Sequence, residues 1–139
     1  MSQYDIEIGV LLWQLVSGAN TTPRSAILRY RADDPFAVSL LLTSGDGPVE
    51  WVFARSLLDR GLKGSAGEGN VRTCISWYDG PPVLIIKLNP TNTTLIGGAH
   101  DLHMFLIRTY AVVDRSLEEN PNVLLMKDAI NTCIAKILG

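Results

Sequence analysis

The sequence is poor in cysteine, charge and aromatic side chains. Of 139 residues, two are cysteine, 19% are charged and 7% are aromatic. We expect Cys74 and Cys133 to be buried, reduced thiols. Near the start, Asp5 and Glu7 stand where a secretory signal carries bases, and the apolar run 10–16 is too short to span a bilayer. We therefore expect a cytoplasmic protein whose membrane association is only indirect.

The residue patterns of common active sites are also missing. The chain has no Gly-x-Ser-x-Gly nucleophile elbow and no cysteine in a reactive motif. Two pairs of carboxylates, Asp33 with Asp34 and Glu118 with Glu119, lie in turn-like sequence with no histidine or nucleophile nearby. Solvated turns explain such pairs without general acid catalysis. We predict that the protein is not an enzyme and uses no cofactor.

Two histidines have a spacing that suits a shared metal ion. His100 and His103 are three residues apart at a predicted helix start, with Asp101 between them. A metal site needs at least one further ligand and groups that orient the imidazoles. No other histidine or cysteine has a matching spacing, so we predict solvent-facing histidines and no metal.

The glycine-rich run at residues 64–69 is not a phosphate-binding loop. Phosphate loops precede a helix, whose amide-rich start faces the anion, whereas this run follows a predicted helix. Lys63 is also followed by Gly64, where a Walker loop has serine or threonine. We interpret Gly64, Gly67 and Gly69 as the glycines of a flexible connector.

Hydrophobic periodicity predicts strands followed by helices. Apolar patterns indicate strands at 6–15, 27–31, 36–42, 49–53, 71–77 and 93–96, and a strongly apolar run indicates another at 83–88. A short corner helix is predicted at 55–60, ended by Gly61 in the left-handed conformation. The period then changes to 3.6, which predicts helices at 101–113, capped by Asp101, and at 123–138. We predict an α+β fold of antiparallel β-sheets with a short corner helix and two C-terminal helices, as one domain over residues 1–139.

The first C-terminal helix has more apolar surface than one sheet can cover. Leu102 and Phe105 lie on the predicted core face, and Met104, Ile107 and Ala111 widen the apolar stripe beyond it. Surplus apolar surface on a small domain often contacts another subunit. We therefore expect a homo-oligomer.

Charged residues on and beside the corner helix form the candidate partner-binding site. They are Arg55, Asp59, Arg60 and Lys63, and we expect all four to be exposed. Exposed charges commonly form the rim of a protein–protein contact.

Four sequence segments, in this order, carry a resemblance to the SsgA-like family. They are Leu-Arg-Tyr-Arg-Ala-Asp-Asp-Pro-Phe-Ala-Val at 28–38, the block 50–62, Gly-Glu-Gly-Asn-Val-Arg at 67–72, and Phe-Leu-Ile-Arg-Thr at 105–109. The resemblance as a whole covers roughly residues 28–113. The chain departs from the family pattern at Asn70, where Asp is usual, and at Ser56, where an acidic residue is usual. It departs again at 113–118, where Val-Pro-x-Gly-x-Glu is usual.

The resemblance implies a role in sporulation-specific cell division of actinomycetes. SsgA-like proteins are non-enzymatic regulators, so the chain is expected to be a scaffold that helps to localise or activate the septum machinery. The implied mechanism is recruitment of the tubulin-like protein FtsZ or control of septal peptidoglycan. The implied partners are FtsZ or another SsgA-like protein, at the cell septum. The implied fold is Whirly-like, and the implied oligomer is a trimer.

The alternative function is a single-stranded nucleic-acid-binding module on that Whirly-like fold. Cations beside stacking rings suit such binding, and the candidates are Arg24, Arg29, Arg31, Arg72, Trp77 and Tyr78. We favour a solvated sheet face for the arginines and core positions for the aromatics. Basic residues are spread along a chain of net charge −2, so no nucleic-acid partner is expected.

Overall fold

In the part of the chain that the structure describes, eight antiparallel strands form a single sheet. The computed structural model describes residues 3–43, 47–67, 69–77 and 80–119. The strands are β1 (Ile6–Ser17), β2 (Asn20–Tyr30), β3 (Ala37–Leu42), β4 (Val49–Ala54), β5 (Ser65–Ala66), β6 (Val71–Ser76), β7 (Val83–Leu88) and β8 (Thr93–Gly98). The helices are α1 (Arg55–Gly61), α2 (Ala99–Val112) and α3 (Ser116–Glu119). The α+β class with antiparallel pairing is confirmed.

The strand order requires the sheet to curl. The order is β4-β3-β2-β1-β8-β7-β6-β5, so β4 and β5 are the two end strands. Only the corner helix α1 and a short turn separate them in the chain. A seven-residue helix is about 10 Å long, much less than the width of a flat eight-stranded sheet. The two ends of the sheet are therefore close together, on either side of α1.

The first hairpin is longer than its sequence indicates. Residues 16–26 lie between the two predicted strands, but only Gly18, which has a φ of +54°, and Ala19 form the turn. Strand β2 already begins at Asn20, and Pro23 lies opposite Trp13 of β1. The β-branched Thr21 and Thr22 suit a strand once this turn closes the hairpin.

The predicted left-handed conformation of Gly61 is wrong. Gly61 is the last residue of α1, and the cap that follows, Leu62, is right-handed. Glycine is needed here for space, because an added Cβ would overlap the side chain of Thr73 on β6. The hydroxyl of Thr73 donates to the carbonyl oxygen of Leu57, 2.9 Å away. The close approach of α1 to β6 therefore accounts for the glycine.

The glycine-rich connector contains a short strand that the sequence analysis missed. Ser65 and Ala66 form β5 and pair with Cys74 and Thr73 of β6. Gly67 follows with a φ of +106°, and an added Cβ would lie 3.0 Å from Cα of Arg72. Main-chain pairing holds this segment in place, and two residues are too few to show an alternating pattern.

Helix α2 packs its apolar face against the curled sheet. Leu102, Phe105 and Leu106 are buried in the same core as the inward side chains of the strands. The helix begins at Ala99, so the predicted cap at Asp101 is wrong. The amide of Ala99 instead donates to the carbonyl oxygen of Pro82, 3.1 Å away, a contact that only the tertiary fold provides. The second predicted C-terminal helix, at 123–138, lies outside the described residues.

Candidate interaction site around the corner helix

Arg55 is buried, so the prediction that it is exposed is wrong. Its relative exposure is 0%, and it is the first residue of α1. Its Nη1 lies within hydrogen-bond distance of the hydroxyl of Tyr30 at 3.2 Å, the carbonyl oxygen of Thr109 at 3.2 Å and that of Val113 at 2.7 Å. Its guanidinium lies 4.6 Å from the centre of the Tyr110 ring. A buried arginine is tolerable only with such partners.

These contacts join the corner helix to the end of α2. The last carbonyl groups of a helix have no partner within the helix, and the helix dipole makes that end favourable for a cation. Arg55 fills this role at the carbonyl of Val113, and it also contacts the carbonyl of Thr109, which already accepts a hydrogen bond from the Val113 amide. It is therefore a structural clamp, and a partner protein does not contact it directly in this conformation.

Asp59 is also tied to the segment after α2. One of its carboxylate oxygens lies 3.3 Å from Nη2 of Arg115 and 3.5 Å from Nζ of Lys63. The Arg115 guanidinium in turn lies 4.5 Å from the centre of the Tyr110 ring. Asp59 is only partly exposed, whereas Lys63 projects into solvent. The structure thus brings Asp59 and Lys63 together, beside the clamp.

Arg60 is exposed and lines an open groove. Its Nε lies 3.4 Å from the carbonyl oxygen of Ser56, and the guanidinium extends along α1. The groove has a volume of about 910 Å³. We call it the seam groove; its lining includes Val52, Ala54, Leu57, Arg60, Ser65, Ala66, Arg72, Cys74, Ile85 and Lys87. Of the four predicted site residues, only Arg60 lines this groove.

The sequence pattern does not mark the other cations of the seam groove as a group. Arg72 of β6 and Lys87 of β7 lie directly opposite each other on adjacent antiparallel strands. Arg72 entered only as a candidate for nucleic-acid contact, and Lys87 was overlooked. In the sequence, each of these two cations stands between residues that face inward. This alternation is the only sign in the sequence that the two side chains point outward. Their juxtaposition depends on strand register.

Apolar side chains are exposed on two other surfaces. On β1, Leu11, Trp13 and Leu15 face outward, and Trp13 is 43% exposed. On α2, Met104 and Ile107 are exposed next to the buried core face, which confirms that the apolar stripe is wider than the sheet covers. The outward face of β1 was not anticipated.

The arginines proposed for nucleic-acid contact are divided between the two faces of the sheet. Arg24 lies opposite the buried Leu12 and so is on the inner face, whereas Arg29 lies opposite Glu7 on the outer face. Arg29 is 3.7 Å from the Glu7 carboxylate. Arg31 is 3.3 Å from the Asp33 carboxylate. These carboxylates balance the charge of Arg29 and Arg31.

The aromatic candidates give a mixed outcome. Strand β6 ends at Ser76, and Trp77 beyond it is 70% exposed, so its predicted core position is wrong. Tyr78 lies outside the described residues. Cys74 is half-buried on the outer face of β6, not fully buried as predicted, and Cys133 lies outside the described residues.

His100 and His103 are exposed on α2, as predicted. In the described ranges, no group of three or more histidine, cysteine, aspartate and glutamate residues is arranged to hold a metal ion. Nor does any helix described here combine the length and apolar character needed to cross a membrane.

The acidic pairs differ in local structure. Asp33 and Asp34 are exposed in the turn between β2 and β3, as predicted. Glu118 and Glu119 belong to the single-turn helix α3 instead of a loop. Just before α3, Asp114 accepts a hydrogen bond from the amide of Ser116 at 2.8 Å, and this bond is the main cause of the lowered pKa of Asp114.

Comparison with known protein families gives a match over most of the chain. Residues 25–118 match a family model described as Streptomyces sporulation and cell division protein, SsgA. The sporulation-specific cell division protein SsgB of Kineococcus radiotolerans is 36% identical over 113 residues, which are 78% of this chain and 68% of the relative. SsgB of Streptomyces coelicolor is 40% identical over 107 residues, which are 75% of this chain and 78% of the relative.

Two solved structures have the same fold as this chain. One, from work on mutations in SsgB that correlate to longitudinal cell division during sporulation of Streptomyces coelicolor, superposes with a TM-score of 0.77 at 36% identity. The superposition covers 86% of this chain and 98% of the solved structure. The SsgA-like sporulation-specific cell division protein of Thermobifida fusca gives a TM-score of 0.75 at 32% identity, over 95% and 98% of the two chains.

Proposed function

This chain belongs to the SsgA family of sporulation and cell division proteins, and we propose that it is a non-enzymatic regulator of sporulation-specific cell division. It acts as a scaffold that helps to localise or activate the septum machinery. Its site of action is the cytoplasmic side of the septum, with any membrane association through partners. The proposal depends on contacts between proteins and on no catalytic group.

The observation that carries the proposal is the exposed apolar face of β1. Leu11, Trp13 and Leu15 alternate along this strand and point outward together. Ile96 of β8, half-buried, lies opposite Trp13 and extends the face to the next strand. Exposed apolar patches of this kind are typical of protein interaction sites. We assign this face to self-association, which would make the protein a homo-oligomer, with the trimer as the expected form.

Recruitment of a division protein then requires a second, separate surface. The partner we propose is FtsZ or another SsgA-like protein. A contact with an apolar centre keeps its affinity as salt rises, whereas binding through phosphate groups weakens steeply. The carboxylates beside Arg29 and Arg31 argue against a phosphate-binding face.

Light scattering of the purified protein tests the proposal. We would measure the mass of the protein alone, with FtsZ, and with a single-stranded oligonucleotide, each at low and moderate salt. The proposal predicts an oligomer that gains mass with FtsZ at both salt concentrations. A mass gain with the oligonucleotide that disappears at moderate salt, together with indifference to FtsZ, would favour the nucleic-acid alternative.

A further inference from the structure

Both end strands of the sheet line the seam groove. Val52 and Ala54 of β4 form one side, and Ser65 and Ala66 of β5 form the other. Each of these strands has one neighbouring strand in the described part of the chain. Their outer edges therefore present main-chain N–H and C=O groups toward the gap, and such edges readily pair with an added strand.

The seam groove is also a site of uncompensated positive charge. Arg72 and Lys87 are directly opposite on β6 and β7, and like charges in this arrangement destabilise a sheet. Arg60 adds a third cation from α1. Within the described residues, none of the three forms an ion pair, and no aspartate or glutamate lines the groove. Glu68, between the lining residues Gly67 and Gly69, lies outside the described residues.

Among the described lining residues, the charge of the seam groove is opposite to that of the whole chain. The protein has a net charge of −2, yet three cations converge on the groove. An unfavourable pairing of like charges is relieved when an anionic partner binds between them. The groove is thus electrostatically complementary to a carboxylate-rich ligand.

Apolar side chains accompany the cations along the same groove. Val52 projects from β4 and is largely exposed, and Ile85 of β7 is half-buried beside Lys87. An extended peptide presents alternate side chains to opposite sides. One set of its side chains can therefore contact the cations while the main chain pairs with a strand edge.

We propose that the seam groove binds an extended acidic segment of a partner protein, in which acidic and apolar residues alternate and which pairs with the outer edge of β4. The proposal rests on the proposed function, because it names the partner chemistry that a protein scaffold would recognise. Strand β4 is chosen over β5 because six residues offer more main-chain hydrogen bonds than two. Carboxylates of the segment lie near Arg72, Lys87 and Arg60.

Two other occupants fit less well. The chain's own residues 120–139 carry two lysines, Lys127 and Lys136, and one acid, Asp128, so their net charge of 2 − 1 = +1 has the same sign as the groove. A single-stranded nucleic acid needs exposed rings for stacking. The aromatic residue in the described lining is Phe53, which is only 7% exposed.

Fluorescence anisotropy with labelled peptides tests the proposal on the full chain. The probe is a peptide of about eight residues in which Glu or Asp alternates with Val or Leu, since strands of this length are common. The matched peptide has Lys at every acidic position. We expect the acidic peptide to bind at least about tenfold more tightly than the basic one. N-methylation of alternate amides, tested in both registers, should abolish binding in one register, because it blocks the hydrogen bonds of an added strand.

Charge reversal on the protein locates the site. We expect Arg72→Glu and Lys87→Glu each to weaken acidic-peptide binding by at least about tenfold. Each reversal replaces a like-charge pair with an opposite pair across β6 and β7, so the fold should be retained. The control is Arg108→Glu, an exposed cation of α2 outside the groove, which should leave binding unchanged.

Several results would overturn the proposal. They are failure of the acidic peptide to bind, equal binding of acidic and basic peptides, or unchanged binding by both reversal variants. Displacement of the peptide by a single-stranded oligonucleotide at lower concentration would assign the groove to nucleic acid. Light scattering of the wild-type protein with FtsZ, set beside its peptide binding, separates the two proposals. A mass gain without peptide binding leaves the scaffold function and removes the groove, whereas peptide binding without any mass gain does the reverse.

Discussion

Arg55 donates a hydrogen bond from Nη1 to the main-chain oxygen of Val113, 2.7 Å away and 58 residues later in the chain. This bond connects the start of the corner helix to Val113, the cap residue that follows α2. The same nitrogen also contacts the carbonyl oxygen of Thr109 and the hydroxyl of Tyr30. The position of α1 between the two sheet ends, and hence the shape of the seam groove, depends on this clamp.

Replacing Arg55 should destabilise the protein strongly. Arg55→Met keeps much of the volume but leaves the buried partners without a donor, so we expect a loss of about 2–4 kcal/mol in unfolding free energy. Arg55→Lys should restore little, because an ammonium group lacks the planar fork and cannot reproduce its stacking on Tyr110. Urea unfolding at fixed protein concentration measures the change. The control is Arg60→Met, which replaces an exposed arginine of the same helix. If Arg55→Met loses no more unfolding free energy than Arg60→Met, Arg55 is not a clamp.

Two glycines near the corner helix should respond differently to alanine. Gly61→Ala places a methyl group against the side chain of Thr73, and we expect a loss of about 1–3 kcal/mol from overpacking. Gly64→Ala has no atom within 4 Å of the added Cβ and should change stability by less than about 0.5 kcal/mol. Thermal and urea unfolding of the pair measure both effects. Equal losses of unfolding free energy in the two variants would show that the close approach of α1 to β6 does not determine the effect of Gly61→Ala.

Truncation of a core residue tests the packing of α2. Phe105 is 1% exposed in the main core, so Phe105→Ala should cost about 3–5 kcal/mol. The adjacent Met104 is exposed, and Met104→Ala should cost less than about 1 kcal/mol unless that residue lies in a subunit contact. Chemical unfolding compares the two variants. A change below about 1 kcal/mol for Phe105→Ala would contradict the packing described above.

The outward face of β1 should control self-association. Trp13→Glu places a charge at the centre of the exposed apolar face, and we expect the oligomer to dissociate while the circular dichroism of the fold is retained. The matched control is Ile107→Glu, on the exposed stripe of α2. Light scattering across a concentration series gives the mass of each variant. If the Ile107→Glu oligomer dissociates and the Trp13→Glu oligomer stays intact, the subunit interface is on α2 and not on β1.

Asp114 should make a pH-dependent contribution to stability. The amide of Ser116 lowers the pKa of Asp114 in the folded protein below its value in the unfolded chain. The ionised carboxylate therefore stabilises the fold above the ordinary aspartate pKa of about 3.9, and this contribution disappears as the pH falls through the lower, folded value. Urea midpoints of the wild type and Asp114→Ala should differ near pH 7 and converge in acid. Asp34→Ala, which removes another exposed acid, serves as the control; a difference that persists unchanged in acid would exclude this role.

Much of the fold could be predicted because single segments carry their own periodicity. A strongly apolar run predicted β7 at residues 83–88, and the change to a 3.6-residue period predicted α2 with Phe105 inward. The corner helix was located by Leu57 and Leu58, which are both buried. Errors arose where a tertiary contact replaced a local signal, as at the amide of Ala99 or at Gly61.

The candidate site was much harder to predict than the fold. Arg55 and Arg60 are both arginines on one short helix, yet one is a buried clamp and the other lines a groove. Nothing in residue type separates them, because the difference is made by Tyr30 and the end of α2, which lie far away in the chain. For that reason, the sequence pattern predicts that both Arg55 and Arg60 are exposed.

The sequence by itself determined the α+β class, the order of its main elements, the family and the width of the apolar stripe on α2, because periodicity and motif order are properties of the chain alone. Only the tertiary structure decided that Arg55 is buried, that Arg72 faces Lys87, and that β4 and β5 border one groove. These facts depend on strand register and on which distant segments meet when the sheet curls. No single segment carries that information.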